Sequence, residues 1–162
     1  IGHAFDDKGR AFDPYGKLND WWTAEDAAHF DQAAARLAEQ YNAFSPLPGM
    51  SINGKLTLGE NIADLTGVTI AWRAYRASLG GKEAPVIDGL TGDQRFFIGF
   101  AQANRASMRE ETLRSMLVSD PHSPARYRVL GALRNFTPFY AAFDVNEGDG
   151  MYLPPEQRVE IW

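Results

Sequence analysis

The chain has 162 residues, a formal net charge of −5 and 44% hydrophobic residues. This length corresponds to about one domain, and the share of apolar residues predicts a packed core and excludes a disordered chain. Charges of both signs are mixed and no basic run occurs, which argues against nucleic acid as the main partner. The chain contains no cysteine, which excludes disulfides and thiolate chemistry. We therefore treat residues 1–162 as a single domain.

The sequence predicts no membrane segment, because no apolar stretch approaches the roughly 18 residues that a spanning helix needs. The chain begins at Ile1, without a methionine or a signal peptide. We interpret this as a processed or truncated start, with any targeting signal upstream. The compartment stays open, because a secreted protein need not contain cystine.

The first third of the chain predicts turns followed by a long helix. Residues 6–20 are rich in Asp, Gly, Pro and Asn, which is typical of turns. Thr23 followed by Asp26 resembles a capping box. Apolar residues then recur at three- and four-residue spacing as far as Phe44, which predicts one apolar helical face. Residues 45–54 contain two prolines and an Asn-Gly pair, and these predict a loop or hairpin.

Two further helical stretches are predicted in the middle of the chain. One should run from about Leu58 to Leu79 and end at Gly80-Gly81. The other should begin near Asp93, break around residues 106–108 and then resume.

Two prolines indicate the starts of shorter helices near the end. Pro124 follows Ser123 and Pro138 follows Thr137, and we place each proline at a first helical position. No run alternates apolar and polar residues for long. The predicted fold is therefore mainly α, with at most minor strands.

Candidate functional residues occur at four places: His3, Glu60 with Asp64, Asp120 with His122, and Arg128. Glu60 lies in Thr57-Leu58-Gly59-Glu60, a pattern that a simple capping box also explains. Asp64 lies four residues later on the same helical face. Two acids at this spacing repel each other unless a cation or a donor lies between them, which favours a site.

Each remaining candidate also has a purely structural interpretation. Taken alone, His3 is a surface histidine near the terminus. Asp120 precedes His122 by two residues and could fix its tautomer, or could make a simple loop hydrogen bond. Arg128 could be a surface helix arginine. His29 lies beside the apolar stripe of the first long helix and is interpreted as a solvated residue.

Other chemistries find little support in the sequence. Asp6, Asp7 and Asp13 suggest calcium, but the alternating acids and central glycine of an EF-hand loop are absent. The chain has neither a phosphate-binding glycine loop nor a Gly-x-Ser-x-Gly nucleophile elbow.

The first seven residues resemble the end of the neprilysin-family zinc helix. The family pattern is His-Glu-x-x-His followed by a small residue, Phe, Asp and Asp, and the chain begins Ile-Gly-His-Ala-Phe-Asp-Asp. The resemblance implies that His3 is the second zinc histidine. On this alignment the first histidine and the catalytic glutamate lie before Ile1.

Two later segments extend the resemblance. Residues 59–64 are similar to the family's Gly-Glu-Asn-Ile-Ala-Asp signature, which implies that Glu60 is the third zinc ligand and that Asp64 supports a zinc histidine. Asp-Pro-His-Ser-Pro at 120–124 matches a segment whose histidine contacts the transition state, which implies this role for His122, oriented by Asp120. By the same resemblance Arg128 binds substrate.

The resemblance covers essentially all 162 residues, including the final Trp162. It implies the C-terminal helical part of a thermolysin-like zinc metallopeptidase catalytic domain, with zinc as cofactor and an oligopeptide as substrate. The absence of cysteine favours a bacterial-type member. Asn104 stands where several members have an aromatic residue near the specificity pocket, and the substrate preference is left open.

The resemblance also implies a partner and a location. The partner is the upstream part of the parent protein, which includes a larger helical domain. The location is extracellular, periplasmic or membrane-anchored through a segment that this chain lacks.

Three functional hypotheses follow. The leading one is hydrolysis of short peptides by a zinc-activated water in the intact parent, with this chain alone inactive. The second is a folded, inactive fragment that acts only as a peptide- or metal-binding module. The third is an unrelated helical interaction domain that mimics the motifs.

Overall fold

The computed structural model describes residues 1–161, and within them the chain forms six α-helices and no sheet. The helices are α1 (Ala24–Asn42), α2 (Leu58–Ser78), α3 (Gly92–Ala103), α4 (Glu110–Ser119), α5 (Ala125–Leu133) and α6 (Thr137–Phe143). Three 3-10 turns cover Gly2–Ala4, Gly9–Ala11 and Pro155–Gln157. Strand-like pairing in this range is limited to isolated bridges. The prediction of a mainly α fold is confirmed.

Most helix ends lie where the sequence predicted them. Thr23 caps α1 by accepting a hydrogen bond from the Asp26 amide. The chain leaves α2 through Gly80 and Gly81, whose φ angles of 57° and 79° lie in the left-handed region that glycine enters without a Cβ penalty. The predicted break near residues 106–108 falls between α3 and α4. No helix in residues 1–161 has both the length and the apolar character to cross a membrane.

The two helix-starting prolines lie one residue away from their predicted positions. Pro124 is the N-cap of α5, and Pro138 is the second residue of α6, after Thr137. Proline suits both positions, because the N–H that it lacks has no helical partner in a first turn. The proline therefore indicates a helix start without fixing its first residue.

The core forms where α1, α2 and α5 pack together. The inward faces of α1 and α2 contribute Leu37, Tyr41, Ile62 and Val68, each with at most 1% of its surface exposed. At the other end of α2, Trp72 stacks on Phe97 of α3 with ring centroids 5.0 Å apart. The chain's last described residues return to this core, where Val159 and Ile161 are buried. This packing fixes the position of α2, whose first turn carries Glu60.

Gly131 allows α5 to lie directly against Tyr41. A Cβ atom at position 131 would overlap the Tyr41 hydroxyl and lie 2.8 Å from the ring atom Cε2. Tyr41 is fully buried, so its ring cannot move into solvent to make space for a side chain at position 131.

We expect Gly131→Ala to lower the free energy of unfolding by about 1–3 kcal/mol, the usual cost of overpacking a core. Gly67→Ala is the matched control, because Gly67 also lies in a helix but faces open space. It should raise stability by up to about 1 kcal/mol through helix propensity. Urea unfolding of the 162-residue chain, followed by circular dichroism, measures both. Equal stability of the two variants would contradict the close packing.

Candidate active site and metal centre

The Glu60 carboxylate faces two histidine rings that come from distant parts of the chain. Glu60 Oε1 lies 3.4 Å from His3 Nε2, and Glu60 Oε2 lies 3.1 Å from His122 Nε2. Thr57 makes no side-chain cap on α2, so the capping-box interpretation of Glu60 is wrong. The Thr57 hydroxyl donates to the Asn53 carbonyl instead. The fold thus brings three of the predicted site residues together.

His3 is oriented by Asp6. His3 Nδ1 lies 2.8 Å from Asp6 Oδ2, and Asp6 Oδ1 accepts the amides of Lys8 and Gly9. Burial alone would raise the pKa of Asp6, but the hydrogen bonds from Gly9, His3 and Lys8 together hold it below its usual range. An ionised carboxylate only accepts, so His3 Nδ1 is the donor. His3 Nε2 is then left to face Glu60.

The contact between Asp6 and His3 was not predicted from the sequence, where Asp6 was weighed only as a calcium ligand. The spacing of three residues within one turn was the available signal. Gly59 also matters, because a Cβ there would lie 2.8 Å from Asp7 Oδ1 and 3.1 Å from Asp6 Oδ2. Glycine at this position lets the two aspartates approach the start of α2.

Asp120 contacts both the backbone and the ring of His122, and thus makes both of the interactions that the sequence left open. Asp120 Oδ1 accepts from the His122 amide and lies near the ring atom Nδ1, each at 2.8 Å. These two hydrogen bonds hold the pKa of Asp120 below its usual range, and the bond from the His122 backbone amide contributes most. The ring therefore donates through Nδ1 and directs Nε2 at Glu60.

The atoms that face each other in the site are the Nε2 atoms of His3 and His122 and the carboxylate oxygens of Glu60. Both rings donate through Nδ1, so a neutral ring would present the lone pair of Nε2 to the Glu60 carboxylate. Two acceptors at hydrogen-bond distance repel each other unless a cation lies between them. A proton on the ring or a metal ion satisfies this requirement. The donor set of imidazole and carboxylate suits zinc, which binds both.

Residues 1–161 do not form a complete metal site by themselves. This range contains no group of three or more His, Cys, Asp or Glu side chains arranged to hold a metal ion. His3 and Glu60 are two side chains of the types that bind zinc, whereas a catalytic zinc site uses three protein ligands.

Asp64 and Arg128 form a bidentate ion pair. Arg128 Nε donates to Asp64 Oδ2 at 2.7 Å, and Arg128 Nη2 donates to Asp64 Oδ1 at 2.6 Å. The bond with Asp64 raises the pKa of Arg128. Arg128 Nη1 has no acceptor within residues 1–161, so it can donate to a ligand. The described partner of Asp64 is thus Arg128, and support of a zinc histidine by Asp64 stays a prediction.

A cavity of about 350 Å³ opens beside His122 and Arg128. Its outer wall is the segment after α3, including Asn104. The Asn104 amide nitrogen donates to the Phe100 carbonyl and so closes the end of α3. A larger apolar groove of about 860 Å³ lies elsewhere on the surface, between Ile1, Ile70 and Phe136.

The fold is helical and the site combines imidazole and carboxylate groups, and comparison with known proteins identifies the family. The model of peptidase family M13 matches residues 1–159. The chain therefore belongs to peptidase family M13, and the resemblance to the neprilysin family is confirmed.

Relatives cover the whole chain but are much longer than it. Neprilysin-3 of Drosophila melanogaster is 37% identical over 166 residues, which are 100% of this chain and 21% of the relative. Endothelin-converting enzyme 1 of Cavia porcellus is 40% identical over 165 residues, 100% of this chain and 22% of the relative. The chain thus spans about a fifth of the length of these curated relatives.

Solved structures share the fold. The zinc metalloprotease Zmp1 of Mycobacterium tuberculosis, solved with an inhibitor, is 48% identical with a TM-score of 0.97 over 100% of this chain and 26% of that chain. PepO from Lactobacillus rhamnosis is 38% identical with a TM-score of 0.85, again over 100% of this chain and 24% of that chain. Bacterial structures are thus among the similar ones, as the bacterial-type interpretation expects.

The partly buried pair of Asp64 and Arg128 should contribute strongly to stability. We expect Asp64→Asn to lower the free energy of unfolding by about 2–4 kcal/mol, because the partly buried Arg128 guanidinium loses its nearest counter-charge and keeps only Glu60, at 4.0 Å. The control is Glu110→Gln, which breaks the exposed 2.6 Å pair with Arg114. That change should cost less than about 0.5 kcal/mol. Denaturant unfolding that gives similar losses for the two variants would contradict the importance of the Asp64 pair.

Proposed function

We propose that this chain contributes to a zinc-dependent metalloendopeptidase that hydrolyses short peptides, within a longer protein. The single observation that carries the proposal is Glu60, whose carboxylate faces two imidazole Nε2 atoms, each ring being oriented by its own aspartate. The names of the relatives support it, since Zmp1 is a zinc metalloprotease.

His3 and Glu60 are the residues that would hold zinc. A bound zinc ion would act as a Lewis acid and lower the pKa of a water molecule toward about 7. Asp6 keeps the proton of His3 on Nδ1, which leaves Nε2 free to coordinate. The remaining zinc ligand and the proton acceptor of the His-Glu-x-x-His pattern are expected from polypeptide outside the described residues.

His122 and Arg128 would act on the peptide itself. In its protonated form, with the Nδ1 proton held by Asp120, the His122 ring would donate its Nε2 proton to the oxygen that gains charge as the scissile carbonyl is attacked. A donor of this kind contributes about 3 kcal/mol to transition-state stabilisation. Arg128 would use Nη1 to hold a peptide carbonyl, while Asp64 keeps its guanidinium in place. The adjacent cavity of about 350 Å³ would accept a substrate side chain.

The second candidate function is a binding module without catalysis. It is favoured by the absence, within residues 1–161, of a group of three or more side chains arranged to hold a metal ion, together with the cavity beside Arg128. The partner in either case would be the upstream polypeptide, for which the apolar groove offers a surface. An extracellular, periplasmic or membrane-anchored location stays a prediction.

In the full-length protein, we expect His122→Ala to lower kcat by about 10²–10³-fold with a much smaller change in KM, because an oxyanion contact forms mainly in the transition state. His29→Ala is the control, since His29 is exposed on α1. Steady-state kinetics with a fluorogenic peptide measure both parameters. An unchanged kcat for His122→Ala would remove this residue from the mechanism.

The 162-residue chain alone should not hydrolyse peptides. Two donors should hold zinc weakly, and loss of the general base should cost about 10²–10⁴-fold in rate. The comparison is with a longer protein that includes the upstream His-Glu pair, both given stoichiometric zinc and the same peptide. Chelator-sensitive turnover by the longer protein alone supports the proposal. Equal turnover by the short chain would mean that the motif is misplaced.

A further inference from the structure

Two buried polar side chains lie next to the two central site residues. Asn61 follows Glu60 and Ser123 follows His122, and both are completely buried. Ser123 Oγ donates to Asn61 Oδ1 at 2.8 Å. We propose that this hydrogen bond sets the position of His122 over Glu60, so that Asn61 and Ser123 are positioning residues. This inference rests on the proposed function of the site.

The hydrogen-bond network around Asn61 has a fixed direction. Asn61 Nδ2 donates to Thr57 Oγ1 at 2.9 Å, and the Thr57 hydroxyl donates to the Asn53 carbonyl at 3.2 Å. A carbonyl only accepts, so the Thr57 proton is committed to Asn53 and Thr57 must accept from Asn61. The amide oxygen of Asn61 therefore faces Ser123. Because only one assignment of donors and acceptors satisfies every group in this network, the side chains of Thr57, Asn61 and Ser123 are held in one relative geometry.

The loop that carries His122 needs such an anchor. The His122 ring is 41% exposed, and its polar contacts are Asp120 and Glu60. Asp120 belongs to the same loop, so it can turn the ring but cannot set the distance between the loop and α2. The Ser123–Asn61 bond crosses from the loop to the first turn of α2. Breaking this bond would leave the buried Asn61 Oδ1 without a donor, which costs free energy. The loop is therefore held at a fixed distance from α2.

A purely structural role for this bond is the competing explanation. It would make the variants less stable without changing the rate per folded molecule. A positioning role would instead lower kcat through His122. Kinetics that separate kcat from KM distinguish the two.

The first test is Ser123→Ala in the full-length, zinc-loaded protein. We expect kcat to fall about tenfold, because small misplacements of a catalytic group are costly, and KM to change less than about twofold. The matched control is Ser119→Ala in the preceding helix α4, where the exposed hydroxyl bonds only the Ser115 carbonyl. The control should leave both constants unchanged.

The decisive comparison repeats Ser123→Ala in a His122→Ala background. If Ser123 acts through His122, the second substitution should cause no further loss in kcat. The same tenfold loss in both backgrounds would overturn the positioning role.

Thr57→Val provides a second variant that leaves the His122 loop untouched. It has nearly the same shape as the native residue but removes the hydroxyl that holds Asn61. We expect a smaller loss in kcat that also disappears in the His122→Ala background. If Ser123→Ala fails to fold, this cycle decides the question by the same criterion.

A crystal structure of metal-free Ser123→Ala gives a readout independent of activity. The distance between His122 Nε2 and Glu60 Oε2 should exceed the native 3.1 Å, or the ring should lose its single position. An unchanged ring would overturn the inference.

Failure of the inference and failure of the proposed function give different results. If the wild-type protein hydrolyses the peptide and His122→Ala does not, while Ser123→Ala behaves like wild type, only the positioning role fails. If the wild-type protein shows no zinc-dependent hydrolysis, the proposed function fails, and the crystal structure of Ser123→Ala then decides by itself whether the Ser123–Asn61 bond sets the position of His122.

Discussion

The site depends on one electrostatic constraint, the placement of the Glu60 carboxylate opposite two imidazole rings. Asp6 and Asp120 each hold the Nδ1 side of one ring, which leaves both Nε2 atoms facing Glu60. With neutral rings this arrangement is repulsive, and Glu60 is only 20% exposed, so water screens the repulsion incompletely. The surrounding structure must therefore hold the three groups in place against this repulsion.

Helix α2 supplies most of that restraint. Its inward face carries Ile62, Leu65 and Val68, which are buried in the core shared with α1 and α5. The same register places Glu60 and Asp64 one turn apart at the edge of this face. Because the core fixes the rotation of the helix, it also fixes where both carboxylates point. Helix α2 thus contributes both to the packing of the core and to the geometry of the site.

Much of the fold followed from local sequence, whereas the site followed from the family resemblance. Helix ends were predictable because the residues that cause them interact only with near neighbours in the sequence. Thr23 caps α1 through the Asp26 amide, and Gly80 and Gly81 end α2 through their own backbone angles. The approach of His3 and His122 to Glu60 is long-range, and no periodicity indicates it. The Ser123–Asn61 bond was missed for the same reason, since nothing local to either residue indicates its partner. Contacts between distant segments become visible only when packing brings them together.

Arg128 shows why residue type matters as much as charge at this site. Its guanidinium uses Nε and Nη2 to hold Asp64 and keeps Nη1 for a further acceptor. It also places positive charge 4.0 Å from Glu60, which offsets part of the excess of carboxylates around the rings. A lysine ammonium has no rigid fork and could not hold Asp64 on one edge while presenting a fixed donor on another. Orientation by Asp64 and donation to a further acceptor are compatible because the guanidinium is planar and carries five N–H groups.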